Sequence, residues 1–268
     1  MTTRTLVPMF LLLSAAGAAA TAAAASGLAF GQEAEPFPAE EVRIDGDANR
    51  FYVFMGPKKE TKRPKDGFGL VVVLPGGSGG ADFKGFVGRI YEQALGDDVV
   101  VAQLVAPKWT DSQTIVWPTE RTKTPGMEFT TEEFVEAAVA DVANRVKIDR
   151  SRVFVLAWSS SGPAAYSLSL KKKKSPTGFF IAMSVFRREW MPPLDEAKGE
   201  AYFLLQSPDD EITKFADAED ARKALEKEKA KVTLVSYPGG HGWHGNVYGY
   251  LRDGFSFLEK NRAKPGGR

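Results

Sequence analysis

The chain has 268 residues, 43% of them hydrophobic and 26% charged, the proportions of a globular protein able to bury a sizeable core. Its 35 basic residues stand against 34 acidic ones, so no charge excess points to nucleic acid or an acidic surface. The chain has no cysteine, which excludes a thiol nucleophile, disulfides and thiolate metal sites.

At the N-terminus Arg4 precedes an apolar run from Leu6 to Leu13 and an alanine-rich stretch to Ala25. This is the pattern of a secretory signal peptide, with cleavage after Ala25 or Gly31. The run to Phe30 also has the length of a membrane anchor. Its strongly apolar part is short, so residues 1–31 are read as a cleaved leader and the protein as secreted or periplasmic. A membrane contact is expected only if that leader stays attached. Residues 32–49, with Pro36 and Pro38, are read as a linker, 50–262 as one domain and 263–268 as a tail.

Arg50 to Met55 is rich in aromatic and β-branched residues and is expected to form an early strand. Lys58 to Lys65 is a charged turn, and Gly69 to Leu74 reads as a central strand buried on both faces. Pro75-Gly76-Gly77-Ser78-Gly79-Gly80 is a tight turn able to present backbone N–H groups. A helix with Phe83, Phe86, Val87, Ile90 and Ala94 on one face comes next, then a strand from Val99 to Val105. Pro107 to Phe129 shows no periodicity, which marks a functional or mobile segment. Thr130 and Glu133 form a capping box ahead of a helix carrying Phe134, Ala138, Val142 and Val146.

Val153 to Leu156 is a buried strand, followed by Ala157-Trp158-Ser159-Ser160-Ser161-Gly162 and a helix. Lys171 to Lys174 reads as a solvated helix end, with a docking patch as the alternative. Strands are expected at Phe179–Val185, Ala201–Leu205 and Val232–Tyr237, and helices at Ala216–Lys229 and from Val247. The alternation predicts an α/β fold: a mostly parallel sheet with helices on both faces. No internal repeat or second domain is evident.

Sites in such sheets lie at the carboxyl ends of strands. Three polar loops hold such positions, in the order serine, acid, histidine. The first is Ser159–Ser161, the second Ser207-Pro208-Asp209-Asp210-Glu211, the third Gly239-Gly240-His241-Gly242-Trp243-His244. A serine hydroxyl needs a base, and the base needs a carboxylate. His241 and His244 are the only histidines. In a sharp strand-to-helix turn the positions two before and two after the serine are crowded. Ser159 puts Ala157 and Ser161 there, whereas Ser160 would put Trp158 there, so Ser159 is preferred.

These loops, together with Leu74-Pro75-Gly76-Gly77, resemble the α/β-hydrolase superfamily over about residues 50 to 260. More narrowly they are similar to phospholipase/carboxylesterase and polyhydroxybutyrate-depolymerase-like esterases. The resemblance implies Ser159 as nucleophile, His241 as base and Asp210 as acid, with Asp209 as the alternative acid. His244 is then a pocket or surface residue, and a metal pair with His241 is not expected. The oxyanion donors would be the N–H groups of Ser160 and Gly77, with Ser78 as the alternative to Gly77. The sequence departs from the pattern at Pro75, where the family has histidine, and at Ala157 and Ser161, where it has glycine.

The implied reaction is acyl transfer on a small-molecule or polymer-linked ester, without cofactor or metal. All five tryptophans fall in expected strand-end loops. Trp117, Trp158, Trp190 and Trp243 are expected to line a pocket suited to sugar rings or aromatic groups. Only some fifteen residues separate the strands at Phe179 and Ala201, which leaves no room for a large lid. A serine peptidase, or a binding protein that keeps the fold without catalysis, are the competing readings.

Overall fold

The apolar runs pair into one eight-stranded sheet, β1 (Glu40–Arg43), β2 (Phe51–Met55), β3 (Phe68–Leu74), β4 (Val99–Leu104), β5 (Ile148–Trp158), β6 (Gly178–Ala182), β7 (Ala201–Gln206) and β8 (Lys231–Ser236). The structure is a computed structural model that describes residues 37–58 and 61–262. The expected leader, part of the linker and the tail lie outside the described residues. In space the strands run 1-2-4-3-5-6-7-8, with β3 to β8 parallel and β1 and β2 antiparallel.

Helices fill the crossovers: α1 (Lys84–Gln93), α2 (Thr131–Arg145), α3 (Gly162–Ser169) and α4 (Phe215–Lys227), with α5 (Val247–Asn261) closing the chain. The two-residue period of each strand sends alternate side chains to opposite faces. Leu70, Val72, Val153, Val155 and Ala157 pack with α2, α3 and α4. Val71, Val73, Phe154, Leu156 and Trp158 pack with α1 and α5. Both faces are covered, so the inner strands are apolar almost throughout.

Two expectations are corrected. The linker 32–49 contributes strand β1 and a tight turn at Ile44–Gly46. Its Glu-Glu-Val-Arg sequence buries only Val42, the charged and short form that an edge strand takes. The lysine run is not wholly solvated either. The Lys174 side chain is buried, with Nζ 3.4 Å from a buried Glu200 carboxylate, while Lys171 pairs with Glu120.

The capping box is formed: Thr130 Oγ1 accepts from the Glu133 N–H, and Glu133 Oε2 accepts from the Thr130 N–H. The segment 107–129 crosses the carboxyl edge of the sheet without regular structure. It is anchored where the N–H and hydroxyl of Thr131 donate to the Pro118 carbonyl. Between β6 and β7 the described chain makes only two short turns, so no large lid stands there.

Candidate active site

Strand β5 ends at Trp158, and Ser159 follows with φ of +56°, a left-handed conformation unusual for a non-glycine residue. Such strain persists only where the surroundings fix it. Ser161 does part of this: its buried Oγ accepts from the Trp158 N–H at 2.9 Å and donates to the Leu74 carbonyl at 2.6 Å. Two glycines permit the close approach. A Cβ on Gly76 would lie 2.7 Å from the Trp158 carbonyl oxygen, and one on Gly162 would lie 1.9 Å from Ser184 Oγ. The tight contacts of this turn thus fall at Gly76 and Gly162, and Ala157 and Ser161 keep their side chains.

The three loops meet. Ser159 Oγ is 3.0 Å from His241 Nε2. His241 Nδ1 is 2.8 Å from Asp210 Oδ2. Asp210 is 3% exposed, and its Oδ1 accepts from the Ile212 and Thr213 N–H groups. Its Oδ2 accepts from the Thr213 hydroxyl and from Gln206 Nε2. Burial alone would raise this carboxyl's pKa. The Thr213 N–H and hydroxyl, His241 and the Ile212 N–H outweigh it and hold Asp210 below the ordinary carboxylate range. Asp210 thus stays ionised beside the imidazole.

Asp209 is exposed, turns away and holds the Gly239 N–H at 3.4 Å. His244 sits under its own loop, stacked on Tyr237, with Nε2 3.4 Å from the His241 carbonyl. Ser160 Oγ donates to the Gly77 carbonyl at 2.9 Å, which ties the serine turn to the glycine turn after β3. Gly77 has φ of +58°, and its N–H has no acceptor among the described residues. Among the described residues there is no group of three or more His, Cys, Asp or Glu side chains able to hold a metal.

A cleft of about 300 Å³ opens at Ser159. Ser159, Ser160 and Pro163 line it together with Thr114 to Trp117, Thr122, Val185, Trp190, Ile212 and Thr213. No charged residue is among them.

Trp117 and Trp190 are in this lining, whereas Trp158 and Trp243 are not, which corrects the four-tryptophan expectation. Trp158 is the last residue of β5, and strand alternation puts it on the α1–α5 face with Phe154 and Leu156. There it meets Phe83, Phe86 and Trp243 edge-on, at 5.4, 6.0 and 5.7 Å.

Three polar residues were not foreseen: Thr213, Gln206 and Ser184. Gln206 carried the one usable signal, a polar residue ending an apolar strand just before the acid loop. Nothing local marks the other two.

Against solved structures the chain is similar to a Bacillus cereus carboxylesterase, at 16% identity and a TM-score of 0.57, over 78% of this chain and 93% of that one. A carboxylesterase from Mesorhizobium loti matches at 14% and 0.59, over 80% and 97%. Porphyromonas gingivalis dipeptidyl peptidase 4 matches at 12% and 0.59, over 84% of this chain and 35% of that one. No protein-family model matches the sequence, and comparison with curated proteins finds no match.

At such identities the fold is what is shared: the chain has the α/β-hydrolase fold. Its structural neighbours are esterases and other hydrolases.

Proposed function

We propose that the chain is a secreted or periplasmic serine hydrolase that cleaves uncharged carboxylic esters through an acyl-enzyme. The single observation that carries this reading is the continuous contact from Ser159 Oγ to His241 to a buried Asp210. Ser159 attacks the ester carbonyl as His241 takes its proton at Nε2. The Ser160 and Gly77 N–H groups receive the oxyanion. His241 then protonates the leaving alcohol, and a water activated by the same nitrogen hydrolyses the acyl-enzyme. Asp210 holds the imidazole's Nδ1–H and stabilises the cation.

The cleft supports the substrate class. Ile115, Val116, Trp117, Pro163 and Trp190 offer aliphatic and aromatic contact and no counter-charge. An ester with an aryl or sugar ring fits that lining better than an acidic or basic one. The peptidase reading is favoured by one neighbour, which shares the fold over only 35% of its own length.

The test is turnover of matched neutral aryl esters and anilides. Ester cleavage is expected to dominate, and Ser159→Ala to reduce it by about 10⁴-fold or more. Equal or faster amide cleavage would favour the peptidase, and ester cleavage surviving in Ser159→Ala would exclude this mechanism.

A further inference from the structure

We propose that Gln206 and Ser184 are positioning residues, a buried relay that locks the acid loop and the serine turn into one frame. The proposal rests on the esterase reading above. Gln206, the last residue of β7, is 1% exposed, and Ser184, just beyond β6, is 4% exposed. Gln206 Nε2 donates to Asp210 Oδ2 at 2.9 Å and to the Thr213 carbonyl at 2.7 Å. Its Oε1 accepts from the Ser184 N–H at 3.1 Å. Ser184 Oγ donates to the carbonyl of Ser159 itself at 2.7 Å. One amide thus joins the ends of β5, β6 and β7.

A buried glutamine in an apolar strand is costly unless its hydrogen bonds are made. Here both ends of the amide are used, and both lead to the proposed triad. The fit is also one for which Gly162 has given up a side chain, since any Cβ there would strike Ser184 Oγ. The relay explains how Ser159 keeps a left-handed backbone without glycine two residues either side: its carbonyl is held from a neighbouring strand. Displacing a catalytic group by about 1 Å can cost on the order of 100-fold in rate, so this restraint acts on kcat.

The titratable groups around Asp210 and His241 are Asp209 and Glu211 on either side of the acid, Tyr237 after β8 and His244 in the histidine loop. None is altered in the test. Wild type, Ser184→Ala, Gln206→Met and Gln206→Glu are compared for kcat and KM per fluorophosphonate-titrated serine, across pH.

Ser184→Ala is expected to lower kcat about tenfold with KM unchanged and the acid limb of kcat/KM in place. Gln206→Met is expected to lower kcat at least as much. Gln206→Glu sets a carboxyl against the buried Asp210; burial and like charge keep it protonated across the acid limb, so it donates to Asp210 as the amide does and kcat there is expected to stay nearer wild type than in Gln206→Met. If Gln206→Glu fails to fold, Gln206→Met and Ser184→Ala decide.

Folded Ser184→Ala and Gln206→Met with wild-type kcat per titrated serine, or a folded Gln206→Glu no better than Gln206→Met on the acid limb, would overturn the relay and leave only structural polar contacts. A wild type that titrates no serine and cleaves no ester would overturn the esterase reading itself.

Discussion

Asp209 and Asp210 are adjacent, carry the same side chain and live in opposite surroundings. Asp210 is buried and accepts from two backbone N–H groups, a hydroxyl and an amide besides His241. Asp209 faces solvent with one long contact to Gly239. Asp210→Asn leaves the shape but offers His241 an amide in place of the carboxylate, so kcat for an aryl ester should fall about 10³–10⁴-fold. Asp209→Asn should change it by no more than about threefold, as surface substitutions do. Steady-state kinetics of the two variants checks the assignment, and the reverse pattern would transfer the acid role to Asp209. The sequence alone held both open, because the choice depends on which carboxylate the Ile212 and Thr213 N–H groups face, a turn geometry that residue order does not reveal.

At the scale of elements, α2 shows both what patterning reveals and what it hides. Its start was legible because Thr130 and Glu133 have complementary chemistry at a fixed spacing. The burial of Glu132 was not, because it depends on α3 docking against that first turn. Ser167 Oγ on α3 donates to Glu132 Oε1 at 2.7 Å, and Oε2 has no partner among the described residues. Burial raises this carboxyl's pKa, opposed chiefly by the Ser167 hydrogen bond. A raised carboxylate pKa means the stabilising, protonated form is fully present below the unfolded value of about 4. It is lost as pH rises through the folded value.

Glu132→Gln should therefore match wild type in melting temperature near pH 4 and exceed it by roughly 2–4 °C at pH 8. Thermal melts across pH check this, and a variant less stable than wild type at pH 8 would show that the ionised carboxylate is stabilising. The same dependence on docking hid β1 and the burial of Lys174. A four-residue charged strand has too few apolar positions to announce itself. A lysine in a run of lysines gives no sign that Glu200 waits behind it.

At the scale of the whole molecule, a parallel sheet delivers the ends of β3, β5, β7 and β8 to one edge, so distant loops converge. This is why so much was legible. Continuous apolar runs located β3 to β8, and the rule of strand ends then picked out the serine, acid and histidine loops without any knowledge of distances, while the choice of Asp210 and His241 within them came from the resemblance. The rest was hidden for a geometric reason. Which face a loop residue joins depends on its strand's register. Trp117 and Trp190 therefore reached the cleft while Trp158 and Trp243 joined the opposite layer.

The central claim is that this convergence activates one serine. Mass spectrometry of the folded protein after fluorophosphonate treatment, with peptide mapping, tests it most directly. A single adduct on Ser159, absent in Ser159→Ala and strongly slowed in Asp210→Asn, is the predicted result. An adduct on Ser160, or none on folded protein that binds neutral aryl esters without cleaving them, would contradict it.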